Sequence, residues 1–203
     1  ESRTNRAPVW PQSASGSDHI RKEPVTAGPT ATMIAIFSDT HSPQGHELEG
    51  EALTAAREAD VVVHAGDFTS EAALEAFQAE CDRFFAVHGN ADSAAVRERL
   101  PAARVVEGDG VRIAVTHRQD GGETGLAMFG RSRGADLVVF GHSHRPTVVE
   151  TDDVTLLNPG SHADPRGNRP GFAVLEDGDD GGFDGTIQRP DGTPIESFEV
   201  RPA

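Results

Sequence analysis

Two histidines one residue apart, His142 and His144, stand just past the apolar run Ala135-Asp136-Leu137-Val138-Val139-Phe140. That run reads as a buried strand. If extended geometry continues beyond it, side chains at i and i+2 leave on one side and the two imidazoles converge. Converging imidazoles are a metal-binding arrangement. Alone the pattern is weak, because paired histidines also end ordinary strands. Four more apolar runs end in the same way. Residues 31–37 lead to Ser38-Asp39-Thr40-His41, and residues 59–63 lead to His64-Ala65-Gly66-Asp67. Residues 84–87 lead to His88-Gly89-Asn90-Ala91-Asp92, and residues 111–115 to Thr116-His117. Five strands thus each finish in Asp, Asn or His, often beside a glycine that lets backbone approach closely. Open α/β sheets gather their ligands at such carboxyl ends.

The elements between these ends must position them. A helix is predicted over 47–58, with acids in its first turns where the helix dipole favours them. Ser70 caps a second over 71–80. Asp92 or Ser93 caps a short third that ends before Pro101. Residues 104–107 and 111–116 form a hairpin through Gly108-Asp109-Gly110. A fourth helix spans 125–133 and stops at Gly134. Beyond Pro146 come strands without helices, at 147–150, 154–157, 171–175, 186–188 and 195–200. A βα half followed by a β-rich half predicts two packed sheets with helices outside. The acidic stretch 177–185 lacks the spacing and the closing glutamate of a calcium loop and reads as a solvated hairpin loop.

Composition bounds the rest. The 203 residues suffice for one well-buried domain. Residues 1–31 hold scattered Pro, Ser and Thr without periodicity and are expected to be a disordered extension, leaving 32–203 as the folded domain. No run approaches the ~20 apolar residues of a membrane span, and no apolar stretch follows Arg3 and Arg6 as a secretory signal requires. The single cysteine, Cys81, excludes an internal disulfide; a cytoplasmic location is the expectation. The net charge is −15, with +1 on residues 1–31 and −16 on the remainder. Among 18 basic residues only Lys22 is lysine. This composition suggests a protein that works in high salt, as in a halophile. It gives no support for stable nucleic-acid binding.

The order Asp-x-His, Gly-Asp, Gly-Asn, His, Gly-His-x-His resembles the calcineurin-like metallophosphoesterase superfamily, and above all its small single-domain phosphodiesterase branch. Leu157-Asn158-Pro159-Gly160-Ser161 also looks like that branch, so the resemblance runs from about Met33 to Ala173. It implies a four-layer α-β-β-α sandwich. It also implies one metal on Asp39, His41, Asp67 and His144, and a second on Asp67, Asn90, His117 and His142, with Asp67 bridging. Asn90 and His117 would then help clamp the reacting phosphate. The residue types suit this chemistry. Two divalent ions, two carboxylates and otherwise neutral ligands leave a positive site that attracts phosphate. Two ions ~3.5–4 Å apart share a water, bring its pKa toward ~7 and present hydroxide in line with phosphorus. Mixed nitrogen and oxygen ligands suit Mn²⁺, the first choice, or Ni²⁺, Fe²⁺, Co²⁺ and Zn²⁺. The partner implied is a small phosphate ester; oligomeric state is left open. Arg166 is a candidate phosphate contact and His162 a candidate lining residue. His64 reads as core or as support for a ligand.

Two departures from the family stand out. Ala91 occupies the place where many relatives carry a histidine that protonates the leaving oxygen. His117-Arg118-Gln119 replaces a common His-Gly-His. The competing function is a non-catalytic interaction scaffold on the same fold, like the retromer subunit that resembles this branch but has lost ligands; all seven ligand positions here are intact. A nucleotide sensor lacks support, since no glycine-rich phosphate loop precedes a helix.

Overall fold

A computed structural model describes residues 22–24, 32–108, 110–178 and 181–202. The strands form two mixed six-stranded sheets. The first contains β2 (Met33–Phe37), β3 (Val61–His64), β4 (Phe84–Ala86), β10 (Phe172–Asp177), β11 (Phe183–Gln188) and β12 (Pro194–Val200), in the order β12-β11-β10-β2-β3-β4. The second contains β5 (Ala103–Gly108), β6 (Val111–Thr116), β7 (Leu137–Val139), β8 (Thr147–Glu150) and β9 (Thr155–Asn158), with β1 (Lys22–Pro24) at its edge, in the order β1-β5-β6-β7-β9-β8. Strands β2, β3 and β4 run parallel, as do β6, β7 and β9.

Alternation sorts the side chains into three layers of core. Ile34, Ile36, Val61 and Val63 face Ile113, Val115, Leu137 and Val139 between the sheets. Ala35, Phe37 and Val62 point the other way, against α1 (Gly50–Glu58) and α2 (Glu71–Glu80). Ala114, Val138 and Leu156 pack under α4 (Gly122–Arg131). The four-layer α-β-β-α sandwich follows from those patterns. Among the described residues no helix is long and apolar enough to cross a membrane.

Ser70 and Ser93 accept from Ala73 and Val96 as N-caps of α2 and α3 (Ala94–Arg99). Helix α4 begins three residues earlier than predicted. Gly121 takes a left-handed turn (φ 89°) and no side chain caps the end, so the sequence carries no cap signal there. Strand β1 was not expected; the rest of the extension lies outside the described residues. The 104–116 hairpin forms as predicted, antiparallel from Ala103↔Thr116 to Gly108↔Val111.

Candidate metal centre

All seven predicted ligands follow the carboxyl ends of parallel strands: Asp39 and His41 after β2, Asp67 after β3, Asn90 after β4, His117 after β6, and His142 and His144 after β7. The first sheet continues past its strands through Ala65 N–H to Phe37 O (2.9 Å), Asp39 N–H to Gly66 O (2.9 Å) and His41 N–H to Asp67 O (3.0 Å). In the second sheet, Gly141 N–H donates to His117 O at 3.0 Å. The sheets meet where His142 N–H donates to both oxygens of Asp39 (3.1 and 3.0 Å).

The extended geometry does not continue beyond the strands. Asp39 (φ 55°), His41 (φ 48°), Asp67 (φ 61°), His142 (φ 73°) and His144 (φ 56°) are all left-handed, which costs each non-glycine residue of order 1–3 kcal/mol. Five such residues in one cluster, each tied into hydrogen bonds, mark strain held at a functional site. Two glycines admit the close approach. A Cβ on Gly89 would sit 2.2 Å from Asp67 Oδ1, and one on Gly141 would sit 2.0 Å from Ser38 Oγ.

Ligand-type atoms of Asp39, His41 and His144 all lie within 4.8 Å of one another, and so do those of Asp39, Asp67 and His117. Asp67 Oδ2 stands between the groups, 3.3 Å from His41 Nε2 and 3.2 Å from His117 Nε2. Asp39 Oδ1 is 3.3 Å from His144 Nε2. The other ring nitrogens fix the tautomers. His117 Nδ1 donates to the Ala65 carbonyl at 2.9 Å and His144 Nδ1 to the Asp164 carbonyl. Carbonyls only accept, so each Nδ1 carries a proton and Nε2 is the ring atom turned toward a carboxylate. Both Nε2 atoms are buried and without a hydrogen-bond partner among the described residues. Unpartnered ring nitrogens facing carboxylates in a buried site call for a cation, and these donors fit a divalent metal.

Protonation follows the same logic. Burial pulls His41 down, but Asp39 and Asp67 outweigh it and raise its pKa to about 9. His117 is raised as well, because Asp67 and Asp39 overcome its burial. Asp67 is held below the usual carboxylate range: burial opposes this, and His117 and His41 overcome it. His142 is lowered, by burial first and then by His117 and Arg118. A metal must expel the His41 proton. Apparent affinity should therefore rise about tenfold per pH unit up to about pH 9 and flatten above it. Titration calorimetry in buffers of differing ionisation enthalpy should show proton release near neutral pH; an affinity independent of pH below that value would contradict it.

The remaining candidates divide. Asn90 is exposed beside Ala91, whose N–H donates to Asp67 Oδ1 at 2.7 Å. Arg166 reaches the mouth, its Nη2 3.4 Å from the His41 ring and its Nε 3.0 Å from Asp164. His162 is not brought to the site. Its ring is buried edge-on against Phe37 and Phe77, and its Nε2 donates to the His46 carbonyl at 2.8 Å. Burial lowers its pKa to about 4, so it stays neutral. His64 is core: stacked on Phe68, bonded to Thr40 Oγ1 at 2.9 Å, and kept uncharged by burial.

Several supporting residues escaped the sequence reading. Asp92 accepts the backbone N–H groups of Asp67, Thr69 and Gly89. Ser38 Oγ donates to Asp39 Oδ2 at 2.7 Å, and Ser161 Oγ to the Asp39 carbonyl at 2.6 Å. Asn158 Nδ2 donates to the Gly141 carbonyl at 2.9 Å and holds the turn before the histidine pair. The Asn-Pro-Gly-Ser motif was visible; its attachment to Asp39 and Gly141 was not.

A four-layer sandwich with carboxylates and imidazoles gathered at the seam of its sheets defines a metal-site protein of the α-β-β-α class. Residues 33–180 match the model of the calcineurin-like phosphoesterase superfamily domain, and the chain belongs to that family. A protein of Methanothermobacter thermautotrophicus named "probable metallophosphoesterase" is 34% identical over 156 residues, covering 70% of this chain and 84% of its own. A phosphodiesterase of Methanocaldococcus jannaschii is 28% identical over 138 residues, 63% of this chain and 82% of its own. Among solved structures, Vacuolar Protein Sorting 29 from Cryptosporidium parvum superposes with a TM-score of 0.71 at 20% identity, covering 84% of this chain and 98% of that one, and shares the fold.

Proposed function

We propose that the protein is a dinuclear metal-dependent phosphodiesterase, working in the cytoplasm on a small phosphate ester. The observation that carries this is the pair of buried Nε2 atoms on His117 and His144, each without a hydrogen-bond partner among the described residues and each facing a carboxylate. In this assignment Asp39, His41, Asp67 and His144 hold one ion, and Asp67, Asn90, His117 and His142 hold the other. The position of Asp67 Oδ2 between His41 and His117 supports its sharing. Mn²⁺ is the ion we propose, on the mixed donor set. When bound, two such ions supply Lewis-acid polarisation of the phosphate oxygens and hydroxide at neutral pH.

The chain's own groups do the rest. The carbonyls of Ala65 and Asp164 hold the His117 and His144 rings in one tautomer and one orientation. The Asp67 carboxylate is fixed from two directions, by Ala91 N–H on its oxygen and by Asp92 on its backbone. Arg166, exposed at the rim and not saturated by Asp164, is placed to meet a phosphate oxygen.

The test is hydrolysis of bis(p-nitrophenyl) phosphate by Mn²⁺-reconstituted protein, run from low salt to molar KCl. Activity and melting temperature are expected to hold or rise with salt, since screening relieves the repulsion of −16 charges over residues 32–203. A melting temperature that falls steadily with salt would remove the halophilic reading. A folded protein that binds no metal and cleaves no ester would instead be an interaction module on the same fold.

A further inference from the structure

Beside the centre, bounded by the loop after β4, the end of β6 and α4, lies a cleft of about 760 Å³. It includes Asn90 and His117 but neither His41 nor Arg166, so it opens from one side of the centre only. Its charge runs against that of the chain. Arg97, Arg118 and Arg133 line it against a single carboxylate, Asp120, in a protein of net charge −15.

Two of these guanidinium groups pair with no carboxylate among the described residues. Arg97 donates to the Asp92 and Asn90 carbonyls. Arg133 lies 3.7 Å over the Phe129 ring and donates to the Phe129 carbonyl and the Ser132 hydroxyl; its Nε is buried without a partner. Arg118 does meet Asp120 at 3.3 Å, but both groups are largely in solvent. Such a pair contributes little, so an incoming anion can replace Asp120. Unsaturated guanidinium groups beside a phosphate site, in an otherwise acidic surface, fit a second negative charge on the ligand.

We propose that the cleft receives one ester arm of the substrate and that this arm is anionic. The preferred substrate is then a phosphate diester in which one alcohol carries a carboxylate or a further phosphate. The inference rests on the phosphodiesterase reading above and narrows its substrate class. Arg118 is the specificity-determining residue of the three, since it follows His117 directly and is exposed to the cleft. Arg133, stacked and half-buried, sets the floor of the subsite.

The test uses three p-nitrophenyl diesters that differ in the second arm: a carboxylate, a phosphate or choline. With Mn²⁺-loaded protein, the anionic arms should raise kcat/KM over choline by about tenfold or more, as expected for charge-assisted hydrogen bonds. The ratio should fall toward unity in Arg118→Ala, an exposed position that leaves the fold intact, and in Arg133→Gln. Calorimetric binding of non-hydrolysable phosphonate analogues gives the same comparison without turnover. Preference in binding with no hydrolysis of any diester would uphold the anionic subsite and overturn the phosphodiesterase reading. Hydrolysis or binding with equal or better acceptance of choline would overturn the subsite. A preference confined to the phosphate arm, or to the carboxylate arm, would uphold the subsite and identify its anion.

Discussion

Asp67→Asn should abolish hydrolysis while leaving the protein folded. Asp67 Oδ1 accepts the Ala91 N–H at 2.7 Å, and an asparagine carbonyl can accept the same bond. The Oδ2 position, 3.3 and 3.2 Å from His41 and His117, would then carry a neutral amide where the parent holds a carboxylate beside two imidazoles. In the metal-free parent the Asp67 carboxylate favours the charged forms of His41 and His117, so the metal-free variant loses that attraction and is expected to stay folded with a modestly lower melting temperature. Its gain in melting temperature on adding Mn²⁺ should vanish. Loss of an outer partner of a metal ligand costs roughly 10–100-fold. Loss of a ligand shared by two ions should exceed that, reaching about a thousandfold or more in kcat/KM. A variant that keeps its metal response and most of its rate would remove Asp67 from the centre.

Ala91→His should change which esters the protein can cleave. The departing oxygen needs a proton unless its conjugate acid is already strong, and general-acid help is worth ~10²–10⁴-fold. Ala91 is exposed, directly after Asn90, in the segment whose N–H binds Asp67, so an imidazole fits there without displacing core. Asp92, the neighbouring carboxyl, is buried and committed to three backbone N–H groups, which argues against it as the acid. The parent should therefore favour nitrophenyl diesters strongly over alkyl diesters. In Ala91→His, alkyl ester rates should rise by much more than nitrophenyl rates. Equal rates across leaving groups in the parent would show that another group already supplies the proton.

Both substitutions address residues that stand out in the bare sequence, and the reason is physical. Apolar runs such as Val61-Val62-Val63 and Leu137-Val138-Val139 can only be buried strands, and a polar residue beside a glycine at their ends has few structural uses. The register that places Ile36 opposite Val63 brings those ends level. What stayed hidden depends on backbone torsion and long-range contact. Nothing in a string of letters marks Asp39, His41, Asp67, His142 and His144 as left-handed, because that conformation is imposed by the sheet junction. His162 follows a turn motif and reads as a candidate pocket-lining residue, yet Phe37 and Phe77 enclose it from elements more than eighty residues away. Asp92 and Ser93 both read as candidate helix caps; in the fold Ser93 takes that role and Asp92 anchors the Asp67 loop. Arg118 and Arg133 lie on separate elements, and only the packing of α4 beside β6 places them in one cleft.

The most direct test is a crystal structure of the Mn²⁺-soaked protein, with the metal located by anomalous scattering. The account predicts two peaks, one touching Asp39, His41 and His144 and the other touching Asn90, His117 and His142, with Asp67 contacting both. A single ion that leaves His117 and His142 free, or ions bound away from these seven residues, would contradict it.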